Sequence, residues 1–266
     1  MGRRRYAVIG CAVGHGRAVA EQLAQLGTEL VLYDKLPEVQ QLASTLSQPD
    51  FRAEGHVIDV EDIVNLLSTL KRTLPTDGID AIVYFPRARE PKDGLQATSA
   101  QWDRDLNIGL KGAHFAVQAA TPFLELRRSR NPSVIFVSSV LSEMVGVESV
   151  GYHSAKAGLE QLTRFLAVKL GPLGIRANAL QIGIALKGNY QKSHPILEEP
   201  EFQRSVVALH PLGEVGTSED ITHAIRFLGS TGSRFITGQV ICVDGGLTIQ
   251  EPVHLLRSTL ERLSRA

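Results

Sequence analysis

Tyr152 and Lys156 stand four residues apart at the start of a helical pattern that runs to Leu170. That spacing puts both side chains on one face, a turn apart. Ser139 follows a β-branched, apolar run from Ser133 to Ser138. A phenol, an ammonium and a hydroxyl in this arrangement can do acid–base chemistry at a carbon–oxygen bond. A free phenol titrates near ~10, too high for easy proton exchange at neutral pH. A neighbouring ammonium favours the phenolate and lowers that value. Tyr152 can then protonate a carbonyl oxygen in reduction, or take a proton from an alcohol in oxidation. Ser139 is placed to hold the same oxygen in line. Asn107 lies inside a long helical pattern from Trp102 to Leu126. It is expected to bend that helix locally and hold water near Lys156 as a proton relay.

A second group of residues suits a dinucleotide. Gly10, Gly14 and Gly16 follow the short apolar run Tyr6 to Ile9 and open a helical pattern, with Val13 and His15 in the same turn. Glycines let backbone approach a pyrophosphate, and a helix N-terminus favours its negative charge. Glycines also make ordinary strand-to-helix turns, so the turn alone is weak. Asp34 strengthens it. It closes the run Leu30 to Tyr33, where a carboxylate can accept from both ribose hydroxyls and would repel a 2′-phosphate. NAD is therefore expected over NADP, with the cations Arg17 and Lys35 nearby as the counter-argument.

These residues need a frame. Strand patterns at Tyr6–Ile9, Leu30–Tyr33, Val57–Ile58, Ala81–Phe85, Ser133–Ser138, Arg176–Gln181 and Gln239–Val243 alternate with helical patterns at Arg17–Leu26, Ile63–Leu74, Trp102–Leu126 and Tyr152–Leu170. Alternating β and α with continuously apolar strands implies an α/β fold, a doubly wound parallel sheet with helices on both faces. We read residues 1–250 as one domain with a substrate lid around 184–213. Residues 251–266 read as a helical tail whose Leu255, Leu256, Leu260 and Leu263 pack on the body or on a partner subunit.

Ser139, Tyr152-His-Ser-Ala-Lys156, Asn107 and Gly10-x-x-x-Gly14-x-Gly16 together resemble the compact, single-domain short-chain dehydrogenase/reductase family. The resemblance runs from about Tyr6 to Thr248. Asp59-Val60 resembles the family's adenine-contacting pair, Arg176-Ala-Asn178 its strand after the active-site helix, and Val243-Asp-Gly-Gly246 its closing strand and turn. The resemblance implies a Rossmann-type fold and hydride transfer between nicotinamide and a substrate carbon. It implies Tyr152 as acid/base, Ser139 as ligand of the substrate oxygen and Lys156 on the nicotinamide ribose. It also implies dimers or tetramers built on the two long helices.

Three departures stand out. Tyr84-Phe85-Pro86-Arg87 replaces the family's Asn-Asn-Ala-Gly, so this wall of the pocket must be built differently. Ile182-Gly183 leads to Lys187 where the family has a threonine near the nicotinamide. Ile9 replaces a threonine before the first glycine. Phe85, Pro86, Gly183 and Lys187 are expected to face the cofactor. Arg87, Arg89, Lys187, Lys192 and His194 form a cationic group that suits a polar or anionic substrate. The competing reading is that these are solvated loop cations.

Lys plus Arg and Asp plus Glu number 28 each, so no nucleic-acid or membrane partner is expected. Cys11 and Cys242 lie far apart, which excludes a disulfide framework and fits a cytoplasmic setting. No apolar run reaches the ~18 residues of a membrane span. The eight histidines include no zinc-type pair, so no metal is expected. The sequence thus points to an NAD-dependent oxidoreductase acting on a secondary alcohol or ketone, assembled as a homo-oligomer. A dinucleotide-binding scaffold without turnover, and a lyase or epimerase using the same tyrosine, are the rival readings.

Overall fold

The computed structural model describes residues 2–49, 51–88, 94–185 and 199–265. Seven parallel strands form one sheet: β1 Arg5–Ile9, β2 Glu29–Asp34, β3 Glu54–Val57, β4 Ala81–Tyr84, β5 Ser133–Ser139, β6 Arg176–Ile182 and β7 Val240–Val243. Their order is β3-β2-β1-β4-β5-β6-β7. The helices are α1 Gly14–Gln25, α2 Glu38–Leu46, α3 Ile63–Thr73, α4 Ser99–Leu106, α5 Gly112–Glu125, α6 Val150–Leu170, α7 Pro200–Leu209, α8 Ser218–Leu228 and α9 Pro252–Arg265. The expected doubly wound α/β fold is present.

Both faces of the sheet are covered over its inner strands, which is why β1, β4 and β5 are buried almost throughout, while the edge strands β3 and β7 are partly exposed. Side chains alternate along a strand. Ala7 and Ile9 of β1 therefore join one core with Leu66 and Leu70 of α3, Ala116 and Ala120 of α5, and Leu159 of α6. Tyr6 and Val8 join the other, with Val19 and Leu23 of α1, Leu42 of α2, and Ile221 and Ile225 of α8. The sequence reading did not identify α2 or α8. It also began α1 at Arg17, whereas the helix starts at Gly14 and takes two of the glycines into its first turn.

The strand order reverses between β1 and β4, which pair side by side from Tyr6↔Ala81 to Ile9↔Tyr84. Chains leaving their carboxyl ends diverge to opposite faces, and the crevice between them is the usual ligand site of such sheets. This switch point puts the glycine turn after β1 beside Phe85-Pro86-Arg87 after β4.

The long central helix is interrupted as expected at Asn107. Residues Asn107–Lys111 form one π turn between α4 and α5, closed by Gly112 N–H donating to the Asn107 carbonyl. The widened turn displaces the Ile108 carbonyl, which accepts from the hydroxyl of Tyr84 at 2.6 Å. Tyr84 is fully buried. A Cβ on Gly112 would lie 2.7 Å from its hydroxyl, so a glycine there makes room for the tyrosine. The altered fourth-strand motif thus still ties the sheet to the helix bearing Asn107, through a phenol.

Of the tail leucines, Leu255 is half-buried and Leu256, Leu260 and Leu263 are exposed. Within the expected lid, α7 is described, while Lys187, Lys192 and His194 lie outside the described residues, as does Arg89 after β4.

Candidate active site

β5 and α6 carry the candidate reacting groups Ser139, Tyr152 and Lys156. β5 ends at Ser139, whose Oγ accepts from the Leu141 N–H at 3.2 Å and sets the turn that follows. α6 is capped by Ser149, which accepts from the Tyr152 N–H at 3.2 Å and donates to buried Asp105 at 2.6 Å. Asp105 thereby fixes the first turn of α6 against α4. Tyr152 is half-buried and Lys156 is buried. His153 is turned aside: it donates from Nδ1 to the Ser149 carbonyl at 2.8 Å and accepts from the Gly146 N–H at 3.0 Å.

Two cations lie against the Tyr152 ring. Lys156 Nζ is 5.6 Å from its centroid and the Arg87 guanidinium carbon 5.4 Å. Both distances are in the range where a cation is attracted to an aromatic face. Lys156 Nζ also donates to the Val137 carbonyl at 2.7 Å. Arg87 pairs with Glu148 at 3.4 Å, on the chain between β5 and α6. The Lys156 amine is lowered to about 7, by burial first and then by the like charge of Arg87, with Glu160 opposing both. Its charge therefore changes near neutrality.

The glycine turn is shaped for close approach. Gly10 has φ +83°, and a Cβ there would meet Pro86 at 2.9 Å. A Cβ on Gly16 would sit 2.1 Å from the Gly10 carbonyl oxygen. A Cβ on Gly14 would meet nothing within 4 Å, so this part of the turn faces open space. Val13 precedes α1 and offers no side-chain cap, and a helix N-terminus of this kind favours an anion. These features fit a dinucleotide pyrophosphate. Pro86 packs on Gly10, and Arg87 turns toward Tyr152; the bulky residues of the altered motif sit around the turn without filling it.

Asp34 is more deeply set than a purely ligand-facing carboxylate. It accepts from Ala12 N–H at 2.8 Å and from Leu36 N–H at 3.0 Å, one to each oxygen. Each oxygen keeps a second lone pair for a ribose hydroxyl. Arg17 pairs with Glu21 at 2.9 Å and Lys35 is exposed, so one of the two cations weighed against NAD is engaged along its own helix. His15 is bound to Ser218 at the start of α8, at 3.0 Å, and burial and then Arg87 lower its imidazole. Asp59 is exposed and bonds the Glu61 N–H, while Val60 is buried against Gly112. Phe85 is half-buried, and Gly183 donates to Val243 at 3.1 Å where β6 meets β7.

Two acidic residues escaped the sequence reading. Glu148 is the partner of Arg87, and Glu160 is one helical turn beyond Lys156. The spacing of Lys156 and Glu160 was a visible signal; nothing local marks Glu148. Among the described residues, no group of three His, Cys, Asp or Glu side chains could hold a metal ion. No helix among them is long and apolar enough to cross a membrane.

The fold and this site together define a dinucleotide-binding oxidoreductase. A family model described as enoyl-(acyl carrier protein) reductase matches residues 10–248, and the chain belongs to the short-chain dehydrogenase/reductase family. It is 30% identical over 245 residues to cis-4-hydroxycyclohexanecarboxylate dehydrogenase of Sinomonas cyclohexanicum, covering 91% of this chain and 95% of the relative. A 3-oxoacyl-[acyl-carrier protein] reductase structure from Brucella melitensis with bound NAD matches with TM-score 0.79 and 25% identity, covering 92% of this chain and 90% of that one. A Beutenbergia cavernae structure with bound NADP shares the fold at TM-score 0.81 and 24% identity, covering 93% and 97%.

Proposed function

We propose that this chain interconverts a secondary alcohol and a ketone on a polar small molecule, anionic ones included, with NAD as redox partner. The observation that carries the proposal is the Tyr152 phenol flanked by Lys156 and Arg87 beside an open glycine turn. Gly10, Gly14 and Gly16 would receive the pyrophosphate, Asp34 the adenosine ribose and Lys156 the nicotinamide ribose. Bound there, the cofactor supplies or accepts the hydride.

Tyr152 moves the proton at the substrate oxygen. Two cations at its ring favour the phenolate, which eases proton loss in the oxidising direction. Ser139 holds the same oxygen, and Asn107, in the π turn, would hold a relay water. Arg87 is the substrate residue favoured here. Its guanidinium reaches the Tyr152 ring, so an anionic group on a bound substrate would meet it there. Arg89, Lys187 and His194 complete the proposed set from outside the described residues. The likeness to a hydroxycarboxylate dehydrogenase supports an acidic substrate. Asp34 supports NAD, although chains of the same fold hold either dinucleotide. Exposed Phe165 and Val168 on α6 support assembly through that helix.

The test is a panel of secondary alcohols, with and without a carboxylate, scored for NAD reduction. Turnover favouring the carboxylates is expected. Dinucleotide binding with no turnover across a broad panel would favour the scaffold reading, and product without net change in nicotinamide absorbance would favour a lyase or epimerase.

A further inference from the structure

Glu160 is a buried carboxylate on α6 that the proposed chemistry leaves unused. It is 4% exposed. Its Oε1 accepts from Ser138 Oγ at 2.7 Å, from Ser142 Oγ at 2.6 Å and from Gln181 Nε2 at 3.4 Å. These partners come from the end of β5, the turn after it, and β6. Gln181 Nε2 also donates to Ser142 Oγ at 2.9 Å, and Ser142 Oγ lies 2.7 Å from the Ser139 carbonyl. One carboxylate oxygen therefore gathers the segment that carries Ser139.

The same residue stands one turn after Lys156, where side chains on a helix are neighbours at about 5–6 Å between Cβ atoms. A buried carboxylate costs several kcal/mol unless it is hydrogen-bonded or balanced by charge. Here the hydroxyls and the amide supply the bonds. Among the described residues, the charges acting on Lys156 are Arg87, which disfavours its ammonium, and Glu160, which favours it. Arg87 is answered by Glu148, and Asp105 against the first turn of α6 is engaged by Ser149.

We propose that Glu160 is a positioning residue of the reaction: it holds the Ser139 turn through Ser138 and Ser142 and sustains the positive charge of Lys156 against Arg87. The proposal rests on Tyr152 and Lys156 acting as assigned above. A buried amine beside an arginine would otherwise shed its proton and stop acidifying the phenol. A carboxylate one turn away favours the ammonium and opposes that loss.

Glu160→Gln tests this on the full chain, since the amide can keep the hydrogen bonds while the charge is lost. Two readouts apply. Denaturant unfolding against pH reports Lys156 directly, and the pH at which stability starts to rise should move down by about one pH unit. The pH of half-maximal alcohol oxidation should move up, because a neutral Lys156 no longer favours the phenolate. Glu160→Asp, with the charge restored, should return both curves toward wild type. If Glu160→Gln does not fold, Glu160→Asp and Glu160→Asn form a size-matched pair differing in charge, and the same offsets are expected between them. Superimposable curves for the charged and neutral variants overturn the proposal. A wild-type chain without turnover instead overturns the assigned reaction, and the unfolding curves alone then decide whether Glu160 sustains Lys156.

Discussion

The guanidinium of Arg87 lies 5.4 Å from the centre of the Tyr152 ring and pairs with Glu148 at 3.4 Å. It comes from the chain after β4, at a position where the resembled family motif has glycine. Arg87→Met should raise KM for a carboxylate-bearing alcohol by roughly 10–100-fold, the value of one charge-assisted hydrogen bond. For a neutral alcohol KM should stay within a few-fold. Steady-state kinetics on the matched pair checks this; equal losses on both substrates would remove Arg87 as the anion's receptor.

Lys156 predicts a pH dependence of stability. Its amine titrates near 7 when folded, against an ordinary value of 10.5 when unfolded. Between those values the unfolded chain binds the extra proton, so stability rises with pH from about 7 upward. The phenols of Tyr6 and Tyr33 and the thiol of Cys11 are pushed up by burial, and they reduce stability once pH passes their unfolded values. The window to examine is therefore pH 7 to about 9. Denaturant unfolding should show a positive slope there in wild type and a flatter one in Lys156→Met. An equally steep slope in the variant would refute the assignment.

Tyr84→Phe removes the hydroxyl that bonds the displaced Ile108 carbonyl and leaves that acceptor buried. The expected cost is about 1–3 kcal/mol. Because the same bond ties β4 to the turn bearing Asn107, kcat should fall more than KM rises. Thermal unfolding and kinetics on one preparation test both halves. An unchanged melting temperature would mean that the bulge is held by other contacts.

Asp34→Ser should weaken NAD and favour NADP, moving the ratio of their Kd values by about tenfold or more. It should also lower stability, since Asp34 fixes Ala12 and Leu36 N–H groups. Titration of both dinucleotides settles this. A ratio that stays put would leave Asp34 as a brace for the glycine turn alone.

Much of this fold can be read from local patterns. Continuous apolar runs such as Ala81–Tyr84 and Ser133–Ser139 announce strands buried on both faces, and the bend at Asn107 was expected inside one long helical pattern. The helix from Ser218 to Leu228 was missed although its start is marked by Thr217 and Asp220, which bond each other's backbone N–H groups. The helix from Glu38 to Leu46 is short, and its polar Gln, Ser and Thr residues blur the pattern of Val39, Leu42 and Ala43. In the site, Tyr152 and Lys156 were legible because helical spacing joins them. The meeting of Arg87, Glu148 and Tyr152 was not, because it depends on β4 and β5 lying side by side. Asp34 was read as facing a ligand; its bonds to Ala12 and Leu36 belong to turns that no spacing rule specifies.

The most direct test of Tyr152 as the proton-transferring group compares single-turnover hydride transfer in wild type and Tyr152→Phe, with NAD and the best alcohol of the panel saturating. The phenylalanine keeps the ring and its contacts with Arg87 and Lys156 and loses only the ionisable oxygen. A fall of roughly 10²–10⁴-fold in the hydride-transfer rate, with dinucleotide Kd little changed, is predicted. Transfer in Tyr152→Phe within a few-fold of wild type would contradict the account.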